Sequence, residues 1–267
     1  MAIVPISLSE FGQKRFKRYD SYAFAAKDAI VPLAVRELPR AAMVMPIAFV
    51  QADEGFVPVA VQGLSPGKNL FVALDGRWVG RYVPAAYRGY PFLLANTPEG
   101  KQVLCFENSS GLLSDNEGEP FFEGNQPTKA VNDVLNFLNQ VSASRQATQR
   151  ICAVLQAHQL IQPWPIKLNQ EPRDGEQAQG RNIEGLFRID EAALNKLDAA
   201  GLHAVQQAGG LPLIYCQLLS MQHLPALGQL ATAHHEAEQH AALPKTEAGE
   251  IDLTFLADDT TISFENL

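Results

Sequence analysis

The hydrophobic period of this chain changes at Pro127, from the alternation of strands to the roughly 3.6-residue repeat of a helix. Before that point, from about Ala42 to Glu123, short apolar runs are punctuated by turn residues. After it, Val131, Val134, Leu135, Leu138 and Val141 fall on one helical face. A chain with this switch places its strands first and its helices second, so the fold class is α+β. We expect an N-terminal β meander or small barrel-like sheet packed with a C-terminal helical half. With 267 residues, 46% of them apolar, there is enough material for a sizeable core.

Three regions follow from the pattern: a β-rich part with an N-terminal arm over 1–125, a helical part over 126–232, and an acidic tail over 233–267. In the first, strands are predicted at Met43 to Gln51, Phe56 to Gln62 and on either side of Asp75-Gly76, a two-residue sequence that favours a tight hairpin turn. Another hairpin joins Pro91 to Ala95 with Lys101 to Phe106, and a short strand lies near Pro120 to Glu123. In the second, one helix is predicted over Thr128 to Ser142 and another over about Ser144 to Leu160. Asp190 reads as the N-cap of the next, Gly209-Gly210 as the stop of its successor, and Pro212 fits the first turn of a further helix reaching Gln222. The polar run from Asn169 to Gln179 reads as a loop. The tail from Ala233 carries eight acidic residues and a single lysine, and its alternating Ile251, Leu253 and Phe255 suggest a terminal hairpin, or a strand awaiting a sheet edge, tethered by a polar linker.

The segment from Asn69 to Phe92 holds one tryptophan, three tyrosines and three arginines in 24 residues, a composition suited to recognition. Arg77, Trp78, Arg81, Tyr82 and Tyr87 are the candidate ligand-binding residues, their aromatic area flanked by guanidinium forks that fit a carboxylate. Glu37 precedes a very apolar stretch, where an unpaired carboxylate is costly, so a structural ion pair with Arg88 is expected.

Taken with Met45-Pro46-Ile47-Ala48-Phe49, Pro120-Phe121-Phe122, Glu184 through Asp190 and Gly209-Gly210-Leu211 through Ser220, the Asn69 to Phe92 block resembles the bacterial SapC family from about Pro5 to about Leu230. The family pattern carries a histidine near positions 13 and 217, where this chain has Gln13 and Gln217. The resemblance implies a link to surface-layer protein export, and a genomic neighbourhood of envelope receptors, flavin-dependent halogenases and cupin-type oxygenases.

Other features point away from catalysis. A net charge of −8 disfavours a nucleic-acid or anionic-membrane surface, and the basic run Lys14, Arg15, Lys17 and Arg18 reads as a solvated face. Cys105, Cys152 and Cys216 sit in apolar sequence and read as buried free thiols. His234, His235, Glu238 and His240 are metal-ligand types without an HExxH pattern, and Ser114 to Glu119 only faintly resembles a calcium loop. His158, His203 and His223 stand apart from any triad, and no phosphate-cradling glycine motif is present, so neither a cofactor nor a metal is expected. There is no apolar run of bilayer length, and a cytoplasmic location is expected.

Two functions fit these features. The first is a non-catalytic binding or adaptor protein of the SapC type, holding a peptide or protein partner, or a small carboxylate ligand, in an envelope-related process of surface-layer export or uptake. The alternative is an enzyme, or an accessory subunit of an amino-acid-modifying oxygenase or halogenase system. What separates them is whether a titratable group beside Trp78, Tyr82 and Arg88 is poised for proton transfer.

Overall fold

The computed structural model describes residues 3–168 and 181–242. The loop expected at 169–179 and the hairpin expected from Ile251 lie outside these residues. Sheets of antiparallel strands dominate the first half and helices the second, and among the described residues none of the sheets closes into a barrel.

Eight of the strands and four of the helices among the described residues organise the fold. In chain order the strands are β1 (Ile3–Pro5), β2 (Ile30–Pro32), β3 (Ile47–Ala52), β4 (Gly55–Val61), β5 (Phe92–Asn96), β6 (Gln102–Glu107), β7 (Ile161–Pro163) and β8 (Phe187–Ile189). The helices are α1 (Lys129–Ala157), α2 (Ala199–Gln207), α3 (Gly210–Ser220) and α4 (Leu224–Ala242). The main sheet has the order β7-β8-β3-β4-β2, so strands from both sides of the expected 125/126 boundary share one sheet. A second sheet, β1-β6-β5, contains the hairpin around Asn96 to Gly100 that the sequence indicates.

The β3–β4 hairpin pairs Ile47 with Ala60 through Ala52 with Gly55, leaving Asp53-Glu54 as the loop. Its first strand starts four residues later than predicted. Met43 and Val44 belong to turns that continue the short helix Leu38–Ala41, with the Met45 amide donating to the Ala41 carbonyl.

Around Asp75-Gly76 the turn forms as expected, but the strands do not. Gly76 adopts φ 82°, and the Ala73 amide donates to the Arg77 carbonyl at 2.8 Å, yet the ladder stops at a single bridge between Val72 and Trp78. The segment instead presses against the residues after Asp20. The Tyr22 amide donates to the Gly76 carbonyl, and a Cβ on Gly76 would lie 2.0 Å from the Ser21 hydroxyl.

Helix α1 is one continuous element of 29 residues, roughly 43 Å long, where two helices were predicted. The apparent break at Ser142 to Ser144 is a polar interruption of the inward face, not a stop. Ser144 and Thr148 point into the protein. The Thr148 hydroxyl accepts from the Val35 amide at 2.7 Å, and that of Ser144 accepts from the Arg36 amide at 3.4 Å. Helix α1 also spans both cores. Val131 packs with the phenylalanine cluster Phe11, Phe16, Phe92, Phe106 and Phe121, whereas Ile151, Cys152 and Leu155 enter the larger core under the main sheet.

Asp190 caps the short helix Glu191–Leu194 by accepting from the Ala193 amide, and Gly209, at φ 75°, separates α2 from α3, both of which pack against α1. Helix α4 continues to Ala242, ten residues past the end placed at 232.

Strands β8 and β3 share only the pair Phe187–Phe49. Beyond it, the fully buried Gln217 of α3 bridges them. Its Oε1 accepts from the Ile189 amide at 2.9 Å and its Nε2 donates to the Ile47 carbonyl at 3.1 Å. Ser220 completes the edge by accepting from the Ile47 amide at 2.9 Å. Replacing Gln217 with Ala strands two buried backbone groups, each costing about 1–3 kcal/mol. Urea unfolding of Gln217→Ala is therefore expected to show a loss of about 2–5 kcal/mol, against under about 0.5 kcal/mol for the exposed Gln146→Ala.

Candidate functional site

Asn69 starts the site as a buried anchor. Its Nδ2 donates to the Ala25 carbonyl at 3.0 Å and its Oδ1 accepts from the Phe71 amide at 2.9 Å. From there the chain passes the Asp75-Gly76 turn to Trp78, whose ring stacks on Phe71 at 5.6 Å and meets Tyr22 at 5.5 Å. The indole Nε1 donates to the Tyr82 carbonyl at 3.0 Å and closes the 78–82 loop. Gly80 permits this closure, because a Cβ there would come within 2.8 Å of both the Phe71 and Trp78 rings.

The Tyr82 hydroxyl donates to Glu37 Oε2 at 2.8 Å. The same oxygen accepts from the Ala85 amide at 2.8 Å, and Oε1 accepts from the Ala34 amide at 2.8 Å. One buried carboxylate thus ties together the residues before Leu38, the Tyr82 loop and the short helix Ala85–Arg88. Arg88 does not form the expected ion pair with Glu37. Two amides and a phenol already occupy the carboxylate, and Arg88 reaches it only through the Tyr82 hydroxyl, at 3.4 Å from Nη2. The exposed guanidinium lies over the rings of Tyr82 (5.8 Å) and Phe137 (5.1 Å).

The other predicted residues separate. Arg81 is exposed and makes no ion pair among the described residues. Arg77 is exposed too, but its Nε is paired with Asp75 at 2.6 Å. Tyr87 is only 4% exposed and belongs to the wall behind the site, its hydroxyl donating to Gln62 Oε1 at 2.7 Å. Trp78 is half-buried, wedged among the rings of Tyr22, Phe71 and Tyr87.

Sequence reasoning missed Tyr19 and Tyr22. The run from Tyr19 to Phe24 packs against this segment, with Tyr19 5.3 Å from both Tyr22 and Phe24, and Phe24 stacked on Tyr90 at 3.8 Å. The aromatic spacing of YDSYAF was a visible signal, but nothing local ties it to residues more than fifty positions away.

The phenols here hold their protons. Burial first, then the Glu37 carboxylate, pushes the Tyr82 phenol far above its usual value of 10.0, against the pull of Arg88 and Arg40. Burial, with Tyr22 beside it, takes Tyr19 to about 12, and Tyr87 and Tyr90 are also raised, burial leading in both. Burial raises all three thiols, Cys152 to about 12.

The remaining suspects have structural work. Lys14, Lys17 and Arg18 pair with Asp115, Glu117 and Glu119, and Arg15 donates to the Gly118 carbonyl, so the basic run and the acidic loop clasp each other. His234 Nε2 donates to the Leu70 carbonyl and Glu238 pairs with Lys68, docking α4. Among the described residues no three His, Cys, Asp or Glu side chains gather as a metal site. One surface cleft is lined by Gln13, Lys14 and Asn125 and another by Phe56, Arg145 and Gln149. Neither includes the aromatic set. Among the described residues no helix is long and apolar enough to cross a membrane.

Fold and site together define a mixed α and β protein with an aromatic and arginine-bearing surface. The model of the SapC family matches residues 6–227, and the chain belongs to that family. No curated protein and no solved structure matches it.

These contacts rank two substitutions. Glu37→Gln puts an amide donor against backbone donors and is expected to cost about 2–4 kcal/mol in chemical unfolding, whereas Arg88→Ala, which loses only exposed contacts, costs less than about 1 kcal/mol. Because the phenol pKa values are raised in the folded state, the stability they contribute is complete below the unfolded value of 10.0. It is lost as pH climbs toward the folded values, about 12 for Tyr19. Denaturant midpoints are expected to fall between pH 10 and 12, and tyrosinate absorbance to lag behind that of free tyrosine over the same interval.

Proposed function

We propose that this SapC family member is a non-catalytic binding or adaptor protein, acting in the cytoplasm in an envelope-related process of surface-layer export or uptake. It presents the face formed by Tyr19, Tyr22, Trp78, Tyr82 and Tyr90 to a peptide or protein partner. The observation that carries this reading is a half-exposed aromatic shelf beside Arg40, Arg81 and Arg88, none of which makes an ion pair among the described residues, on a chain of net charge −8. Rigid aromatic area loses little side-chain entropy on binding, and arginine is the cation enriched at interface hot spots.

A binding role also accords with the chemistry of the site. Glu37, the carboxylate bonded to Tyr82, is saturated by three donors, and phenols held protonated serve as hydrogen-bond donors, not as bases. The oxygenase or halogenase accessory alternative needs a group free to exchange protons.

The test is capture from native lysate with mass spectrometric identification, comparing the unmodified chain with Arg81→Ala and Arg81→Glu. Both variants are expected to fold normally by circular dichroism. Capture of the principal partner is expected to weaken about tenfold for Ala, some 1.4 kcal/mol, and further for Glu. Undiminished capture by Arg81→Glu places the surface elsewhere, and turnover of a captured small molecule by the purified protein favours the enzymatic alternative.

A further inference from the structure

We propose that Arg88 is an oxyanion-binding point, and that the group it receives is a carboxylate carried beside an aromatic ring. This inference rests on the reading of the aromatic face as a recognition surface and names the chemistry of what it recognises.

The guanidinium lies over the rings of Tyr82 and Phe137, at 5.8 and 5.1 Å, which orients its plane without consuming its N–H donors. Of those donors, the single hydrogen bond among the described residues is the long one to the Tyr82 hydroxyl, 3.4 Å from Nη2. Tyr82 cannot swing away to make room, because its hydroxyl is held at 2.8 Å by Glu37, itself fixed by the Ala34 and Ala85 amides. The result is a planar fork, braced from behind, with its remaining donors free. That geometry matches bidentate recognition of a planar oxyanion.

The local charge selects a monoanion. Around the Tyr82 hydroxyl stand two guanidinium groups, Arg88 and Arg40, against the single carboxylate of Glu37, a surplus of one positive charge on an acidic protein. A phosphate carries nearer two negative charges and is typically cradled by consecutive backbone amides. Here the amides of Ala34 and Ala85 are already spent on Glu37. The Tyr82 ring under the guanidinium, with Tyr19 near enough to feel the Arg88 charge, favours an aromatic neighbour on the same ligand. A peptide C-terminus and a free aromatic acid share this chemistry.

The probe is N-acetyl-phenylalanine, titrated into the full chain and followed through the arginine Nε–Hε signals, with N-acetyl-phenylalanine amide, inorganic phosphate and an uncapped tetrapeptide ending in Phe as the other arms. The acid is expected to bind saturably with a dissociation constant on the order of 1 mM, the range for a ligand of about fifteen heavy atoms. The amide is expected to be at least tenfold weaker, Arg88→Ala to abolish the response and Arg88→Lys to weaken it about tenfold. Tighter binding of the tetrapeptide than of the acid identifies a peptide terminus as the source, and the reverse a free acid. Equal response to acid and amide, tighter binding of phosphate, unchanged binding by Arg88→Ala, or no saturation by 50 mM, about fifty times that constant, overturns the proposal. Should the acid fail while Arg81→Glu still loses lysate capture, only the ligand class is wrong and the recognition surface stands.

Discussion

Where β8 and β3 part after Phe187 and Phe49, the side-chain amide of Gln217 takes over the ladder, accepting from one strand and donating to the other. The two halves of the chain share a sheet through this contact, and the constraint behind it is general: buried backbone groups must be paired. This protein buries a good deal of backbone outside regular elements and pairs it with side chains. Ser144 and Thr148 serve residues 35 and 36, Glu37 serves residues 34 and 85, and Asn69 serves residues 25 and 71. Each is a polar residue placed where a core would otherwise be apolar, and the fold depends on these pairings as much as on its phenylalanines.

The same device decides which elements were legible in the sequence. The β3–β4 and β5–β6 hairpins, the Asp190 cap and the Gly209 break follow from local chemistry within a few residues, and apart from the late start of β3 they appear where expected. The continuity of α1 was hidden because Ser144 and Thr148 interrupt its apolar face, and the reason for that interruption lies a hundred residues earlier in the chain. The Asp75-Gly76 turn was readable, but its flanking strands were overridden by Tyr22 and Ser21, which come from a distant segment.

At the site, composition located the region and long-range packing assigned the roles. Tyr87 and Arg81 lie in the same short stretch, yet one is wall and the other surface, a distinction set by Gln62 beneath the tyrosine. The basic run and the acidic loop each suggested a ligand in isolation, and each turns out to be the other's partner across about a hundred residues. The histidines before Gln239 divide similarly, with His234 fixed on the Leu70 carbonyl. Glu37 was read correctly as a carboxylate that must be compensated, but backbone amides and a phenol did the compensating, which released Arg88.

That release connects the architecture to the proposed function. Had Glu37 paired with Arg88, the guanidinium would be buried and its donors consumed, as in a structural ion pair. Because the carboxylate is hydrogen-bonded from within, the Tyr82 hydroxyl becomes a rigid relay and Arg88 stays outside, oriented by two rings and short of a partner among the described residues. A rigid, solvent-facing cation among half-buried rings adds little to stability, since exposed charge contacts are worth well under about 1 kcal/mol. Its worth lies in preorganisation: a fork already held in place loses little freedom when an anion arrives.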